Sequence, residues 1–440
     1  MLNRVLIAVA AIIVVGLVVF AVLAWRPGIA VVETPSGEGF SEDQIALGEQ
    51  MALAGNCETC HTVSGGEPYA GGLPVESDFG TIYATNITPD PETGIGGWSE
   101  EAFARAMRYG VRRDGAHLFP AFPYDHFTNL TDEDITAIYA YLMTVAPVVQ
   151  EDLPADLPFP LNWRALQGGW KLLFFHNAGA LEPEDDMSAA WNRGRYLGEG
   201  IGHCSSCHTP RNFLGAEQGG SAKYSGAEVG GFYAPAINED PTSTVPWTEA
   251  DLYPFLRTGA SPLHGIAAGE MSEVIHMGLR ALPDEDLQAL AVYYGDIAGG
   301  NEGDYTVPSL LRREGDGGDL TAQETRGGQV FAAYCVSCHF TPENAPQARR
   351  PALSVNSAVV GPDASNFIHV VLNGVSVEEG NPDTAMPAFR RVMTDQDVAD
   401  VAAYLRARYA ESREGDWGDV AAESADIRAN TVEGQDLPPS

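Results

Sequence analysis

The sequence is poor in positive charge. Its 440 residues carry 25 lysines and arginines against 60 aspartates and glutamates, a formal net charge of −35. Nucleic-acid binding needs a basic face, so that class is excluded. The imbalance instead implies a soluble, self-repelling acidic surface, suited to salty surroundings or to a partner of complementary charge. Cysteine is scarce too, with six residues, too few for a disulfide framework in a chain this long. Nucleotide-binding loops and hydrolytic triads are missing, so the chain supplies no substrate site of its own.

What cysteine there is falls in a pattern. Cys57-Glu-Thr-Cys60-His61, Cys204-Ser-Ser-Cys207-His208 and Cys335-Val-Ser-Cys338-His339 use every cysteine in the chain. Two thiols separated by two residues reach one porphyrin edge and form thioethers to its vinyl groups, and the next residue, histidine, sits under the ring to bind iron. A redox dithiol or half a zinc site requires no histidine directly after the second cysteine. Three such motifs predict three covalently bound haem c groups, with His61, His208 and His339 on iron.

The first residues address the compartment. Arg4 precedes an uncharged run from Val5 to Trp25, closed by Arg26 and Pro27. The run is long enough to cross a bilayer as a helix, whereas a signal peptide has a shorter apolar region. Gly28-Ile29-Ala30 leaves cleavage open. Residues 1–27 are therefore read as a membrane anchor, or a signal peptide, that puts the rest on the periplasmic side.

The chain repeats internally. Gly48, Gly194 and Gly327 each stand in a helix-like segment ahead of a cysteine pair. A second pattern closes each unit: Thr131-Asp-Glu-Asp-Ile135 with Ile138 and Leu142, Pro283-Asp-Glu-Asp-Leu287 with Leu290 and Tyr294, and Thr394-Asp-Gln-Asp-Val398 with Val401 and Leu405. Thr131 and Thr394 are cap residues, the aspartates favour the positive helix end, and apolar residues three apart share one face. Small c-type cytochromes cross an N-terminal and a C-terminal helix beside the haem in this way. The fold is accordingly read as mainly α: three tandem class I cytochrome c-type domains after one N-terminal transmembrane helix. The domains span 40–147, 188–298 and 320–410. Linkers fill 148–187 and 299–319, and an acidic, mobile tail fills 411–440. The aromatic run Trp170–Phe175 suits an inter-domain seam better than a membrane or partner surface.

A low-spin electron-transfer haem needs a second axial ligand, and methionine opposite histidine raises its potential. Met386, in Met-Pro-Ala-Phe389, and Met271, in Gly-Glu-Met271, stand on the loops before the closing helices. Met393 and Met277 lie nearer those helices and suit packing. The first unit breaks the pattern. Its loop, Phe119-Pro-Ala-Phe122-Pro-Tyr-Asp-His126-Phe127, has no methionine. His126 is the leading candidate there, with His117 and Met107 behind it. The alternative is a five-coordinate iron.

With these residues in view, the chain resembles the tri-haem cytochrome c subunits of membrane-bound bacterial dehydrogenases. The resemblance rests on the three units in order, the Ile82–Pro91 stretch and Gly110-Val-Arg-Arg-Asp-Gly115. Alcohol dehydrogenase subunits carry Pro-Ala-Met-Pro-Tyr where Phe122 stands here. Phe122 with His126-Phe127, Ala24–Pro27 and Leu161–Arg164 is closer to the branch serving molybdenum hydroxylases. The resemblance implies an electron-transfer subunit. A catalytic dehydrogenase subunit, with a small iron–sulfur subunit, would oxidise an aldehyde or N-heterocycle; this chain would pass electrons to ubiquinone or a terminal oxidase. Alternatives are a quinoprotein alcohol or flavin-dependent sugar dehydrogenase as partner, a free-standing relay, or a haem peroxidase using an open first haem.

Overall fold

The structure is a computed structural model that describes residues 2–177, 179–239, 245–261, 263–299, 321–339, 353–375, 386–410 and 417–431. It is mainly α-helical, with three short two-stranded antiparallel hairpins among the described residues. The chain forms two compact units: residues 1–184 with 196–203, and residues 185–195 with 204–440.

The first unit begins with helix α1 (Leu2–Ala24). Among the described residues no helix is long and apolar enough to cross a membrane, several α1 side chains lying outside that set. Helix α2 (Glu42–Ala54) starts where the Ser41 hydroxyl accepts the Gln44 N–H. A single turn, α3 (Cys57–Cys60), carries the first cysteine pair, and the hairpin β1 (Pro74–Ser77) and β2 (Gly80–Tyr83) follows. Helix α4 (Glu100–Tyr109) ends at Gly110, whose φ of 59° suits glycine. After the short α5 (Tyr124–Phe127), α6 (Asp132–Leu142) starts where the Thr131 hydroxyl accepts the Asp134 N–H. Ile135, Ile138 and Leu142 are buried on its inner face.

Helix α7 (Leu166–Phe174) holds the end of α1 against this unit. Gly168 permits the approach, since a Cβ there would lie 2.9 Å from that of Ala24. The buried Lys171 ammonium donates to the carbonyls of Tyr109 (2.6 Å) and Gly110 (2.7 Å), at the negative end of α4. It also sits 3.2 Å from His117 Nδ1 and 4.3 Å above the Tyr124 ring. His117 Nε2 donates to the Ala24 carbonyl at 2.7 Å. Trp170 meets Tyr124 edge to face, while Leu172 and Leu173 stay exposed. The Trp170–Phe175 run, read as a seam, is thus buried on one side only.

The second unit opens with α8 (Ala189–Tyr196), whose last residue belongs to the first unit, and α9 (Ser205–His208) carries Cys207 with Cys204 at its N-cap. Then come β3 (Ala227–Val229) and β4 (Phe232–Ala234), α10 (Glu249–Thr258), β5 (Ala260–Ser261) and β6 (Gly265–Ile266). Helix α11 (Glu270–Glu273) precedes α12 (Asp284–Ile297). Helix α13 (Ala322–Tyr334) has a full capping box from Thr321 and Glu324 and ends at Cys335, and α14 (Val336–His339) holds Cys338. The chain continues through α15 (Ser357–Val360), α16 (Ser365–Asn373), α17 (Asp395–Tyr409) and α18 (Val420–Asn430). Thr394 and Asp397 close a second capping box at α17.

Helix α18 corrects one expectation. Half of residues 411–440 lies outside the described set, but 420–430 is a packed helix rather than a mobile tail. Val420 and Ser424 are buried, and the Arg428 guanidinium donates to the Asp395 carboxylate (2.8 Å) and the Met393 carbonyl (3.0 Å). Acidic composition concealed an inward face. The 299–319 linker, apart from Gly299, lies outside the described residues.

One contact recurs three times. A Cβ on Gly48 would lie 1.9 Å from the Ala137 carbonyl oxygen, one on Gly194 1.9 Å from that of Ala289, and one on Gly327 1.9 Å from that of Asp400. In each case the next neighbour is a tyrosine Cβ, of Tyr141, Tyr293 and Tyr404. The entering and closing helices therefore cross backbone to backbone. Arginines brace two crossings: Arg193 grips Asp286 with two hydrogen bonds (2.7 and 2.9 Å), and Arg326 grips Asp400 (2.9 and 3.3 Å).

Gly48→Ala is expected to force the first crossing apart and to cost about 1–3 kcal/mol as overpacking. Gly219→Ala, which meets nothing within 4 Å, is the control. Equal denaturant midpoints for the two variants would refute the crossing argument. Burial lowers the Lys171 pKa to about 7, with Arg26 acting the same way. The unfolded chain, with an ordinary lysine near ~10.4, then binds more protons between these values. Stability contributed here is lost as pH falls from about 10 to about 7 and is level below. The melting temperature of wild type should follow that course more steeply than that of Lys171→Met; parallel curves would count against the assignment.

Candidate haem-binding sites

Each described site is built on a cysteine turn at the end of an entering helix. Behind α2, Asn56 adopts a left-handed φ of 50°, which turns the chain into α3 and sets Cys57 and Cys60 on one turn. Burial, with Cys60 beside it, pushes the Cys57 thiol up to about 12. Cys335 is raised to about 11 for the same reason. Both thiols are therefore held protonated at neutral pH.

The histidines are oriented by the backbone. His61 Nδ1 lies 2.6 Å from the Thr85 carbonyl, and His208 Nδ1 lies 2.7 Å from the Pro235 carbonyl. A carbonyl only accepts, so Nδ1 carries the proton and Nε2 is the ligand atom. Burial lowers both imidazole pKa values, which favours the neutral form a metal needs. His339 ends α14, and residues 340–352 beyond it lie outside the described set.

The loop carrying Thr85 is held rigid. Asn86 Nδ2 donates to the carbonyls of Val148 (2.8 Å) and Gln150 (3.2 Å), while its backbone N–H donates to Asp152 (2.9 Å). Asp90 accepts from the backbone and hydroxyl of Thr93, which hold its carboxyl below the usual range. This is the structural content of the Ile82–Pro91 stretch.

Sequence reasoning missed a shared turn in the first two sites. The Thr62 hydroxyl accepts the Tyr69 N–H (3.1 Å), and the Thr209 hydroxyl accepts the Tyr224 N–H (3.0 Å). Both tyrosines have φ of 61°. The Gly71 N–H then donates to the His61 carbonyl (2.7 Å) and that of Gly226 to the His208 carbonyl (2.9 Å). Tyr69 and Tyr224 reach across to the hydroxyls of Tyr141 and Tyr294 on the closing helices, at 3.2 and 3.3 Å. The signal was present: both motifs continue as His-Thr, and both loops read Tyr-x-Gly.

The distal loops leave equivalent hairpins. Val111 bridges His117, Ala260 pairs with Ile266, and Val375 bridges Met386. Phe122 and Met271 each stand five residues past the bridge, so they occupy matching places. Met271 lies on α11, partly buried. Met386 is partly buried at the edge of the core cluster around Phe367, Ile368 and Leu405, whereas Met393 is buried inside it, in keeping with a packing role. His126 is buried on α5, its Nδ1 3.1 Å from the Glu199 carbonyl and its ring 6.4 Å from that of His203. His117 is committed to Ala24 and Lys171. Paired thiols and, in the first two sites, neutral histidines presented through Nε2 fit haem c, whose iron supplies one-electron chemistry when bound.

Comparison with known proteins agrees with this geometry. Residues 45–146 match the cytochrome c family model, and residues 322–405 match that of cytochrome c oxidase, cbb3-type, subunit III. The chain is 37% identical to the gluconate 2-dehydrogenase cytochrome c subunit of Pantoea cypripedii, over 89% of this chain and 90% of that one. The chain belongs to the family of cytochrome c subunits of dehydrogenases. It is 34% identical to the fructose dehydrogenase cytochrome subunit of Gluconobacter japonicus, over 86% of this chain and 82% of that one. It is also 43% identical, over 93% of its length, to a nicotinate dehydrogenase subunit of Pseudomonas putida, but spans only 34% of that relative. Family membership implies covalently bound haem c and a role in electron transfer.

If Met271 and Met386 supply sulfur, each change to alanine should lower the potential of one haem or turn it high-spin. Redox titration with optical spectra reads this, and unchanged midpoints in both variants would remove the assignment.

Proposed function

We propose that this chain binds three haem c groups, at Cys57–His61, Cys204–His208 and Cys335–His339. It takes electrons from a separate catalytic subunit and delivers them to ubiquinone or a terminal oxidase. The observation that carries the reading is the recurrence of one arrangement. A glycine-pinned helix crossing stands beside each of the three cysteine pairs, and in the first two the histidine is held by a backbone carbonyl. Met271, Met386 and His126 are the proposed sixth ligands.

The proposed partner is a molybdenum hydroxylase with a small iron–sulfur subunit, oxidising an aldehyde or N-heterocycle. Similarity to a nicotinate dehydrogenase subunit supports this branch, as does Phe122 in the place matching Met271. A quinoprotein or flavoprotein partner is the alternative, given the alcohol, gluconate and fructose dehydrogenase relatives. The same phenylalanine favours a second reading, an open first haem with peroxidase activity. A high-spin signal that shifts on adding peroxide would support it, and three low-spin haems would dismiss it.

We also place the chain at the membrane on its periplasmic side, anchored through α1. The uncharged run from Val5 to Trp25 supports this, and 23 helical residues rise about 35 Å, enough for a hydrocarbon core of ~30 Å. Exposed Trp25, Phe159, Trp163, Leu172 and Leu173 suit an interfacial belt on the first unit.

The test is purification of the tagged chain from native membranes in mild detergent, with identification of companions and a metal assay. A molybdenum-bearing large subunit is the expected result. A quinoprotein or flavoprotein would overturn the branch and keep the relay, and a cytochrome found alone would count against a dedicated catalytic partner.

A further inference from the structure

A cavity of about 240 Å³ opens in the first unit, lined by Ile82, Tyr83, Thr85, Arg112, Asp152 and Arg164 among others. At ~30 Å³ per water it has room for about eight waters, ample for a carboxylate-bearing side arm. It lies between the two walls of the first haem site. Thr85 belongs to the wall that holds His61. Arg164 belongs to the distal wall: its guanidinium stacks 4.5 Å from the Phe119 ring centroid and donates to the His117 carbonyl at 3.0 Å.

The charges around it are incompletely matched. Arg112 Nε is buried with no hydrogen-bond partner. The Asp114 carboxylate accepts the Ala116 N–H at 3.0 Å and meets Arg112 through Nη2, at 3.5 Å, not through Nε. Asp152 is engaged by the Asn86 N–H. A buried guanidinium nitrogen without an acceptor is rare in folded proteins and calls for one. The Arg fork matches a carboxylate through two parallel hydrogen bonds. Haem c carries two carboxylates, its propionates, on the ring edge opposite the vinyl-derived thioethers. Cys57 and Cys60 fix the vinyl edge, so the two carboxylates lie at the opposite edge, where a guanidinium is a matching partner.

We propose that Arg112 and Arg164 form the propionate receptor of the first haem and raise its reduction potential. Two cations beside the ring disfavour the more positive, oxidised iron. The inference goes beyond electron transfer as such and rests only on a haem being attached at Cys57 and Cys60.

The experiment uses the full chain, with Arg112→Gln, Arg164→Gln and Arg112→Lys. Arg108→Gln is the control, because that guanidinium serves the exposed Asp132 and the Thr128 carbonyl and does not line the cavity. Pyridine haemochrome spectra establish haem loading independently of the arginines. Spectroelectrochemical titration and resonance Raman of the propionate modes then read the effect. The first haem is assigned by its loss in a Cys57→Ala, Cys60→Ala double variant. Both glutamine variants should shift that haem's midpoint downward and perturb its propionate modes, leaving the other haems and the control unchanged. Arg112→Lys, which keeps the charge and loses the fork, should shift it less. Unchanged midpoints and modes at full loading would overturn the proposal, and so would an equal shift of all haems.

Discussion

Two helix backbones touching at a glycine set the frame for everything else in this chain. At Gly48, Gly194 and Gly327 the missing side chain lets the entering helix rest on a carbonyl of the closing helix. Each cysteine pair begins only eight to ten residues after its glycine. The crossing therefore fixes where the thiols stand and which way the following histidine faces. A methyl group at the contact would move the attachment site with the helix, because protein interiors are too densely packed to absorb the displacement locally. The tyrosine one turn beyond each contact closes the crossing from the other side.

From that frame the chemistry is set by hydrogen bonds to main chain. The Thr85 and Pro235 carbonyls decide the tautomer of His61 and His208, and hence which nitrogen meets iron. Main-chain carbonyls are suited to this because no side-chain rotamer intervenes. Their positions are held in turn by buried polar networks, with Asn86, Thr88 and Asp90 in the first unit. In a low-dielectric interior such networks are rigid when every member is satisfied. A rigid ligand shell keeps the geometry change on electron transfer small, which a relay requires more than a substrate-binding enzyme does.

The covalent chemistry was legible in the sequence because it is local: two cysteines and a histidine within five residues need no fold to be read. The closing helices were legible too, since Thr131 and Thr394 cap them and their apolar residues recur every third place. What remained hidden was carried by main chain or by long-range packing. No pattern names the Thr85 carbonyl as the partner of His61, 24 residues away. The left-handed Tyr69 and Tyr224 turns defy the usual preference of bulky residues. Helix α18 was masked by its charge, since only the contacts of Val420, Ser424 and Arg428 reveal an inward face.

The departures from the repeat are more telling than the repeat. Through the shared hairpin, Phe122 stands where Met271 stands in the second unit. Phenylalanine cannot ligate iron, so the first haem is either five-coordinate or ligated from further along the loop. His126 meets one requirement for ligation. Its Nδ1 is turned to the Glu199 carbonyl, the same device that directs Nε2 of His61 and His208. The difference between thioether and imidazole is largely one of potential, since sulfur favours the ferrous state. The hairpin is thus common to the two units, and the residue five places past it is where their distal loops differ.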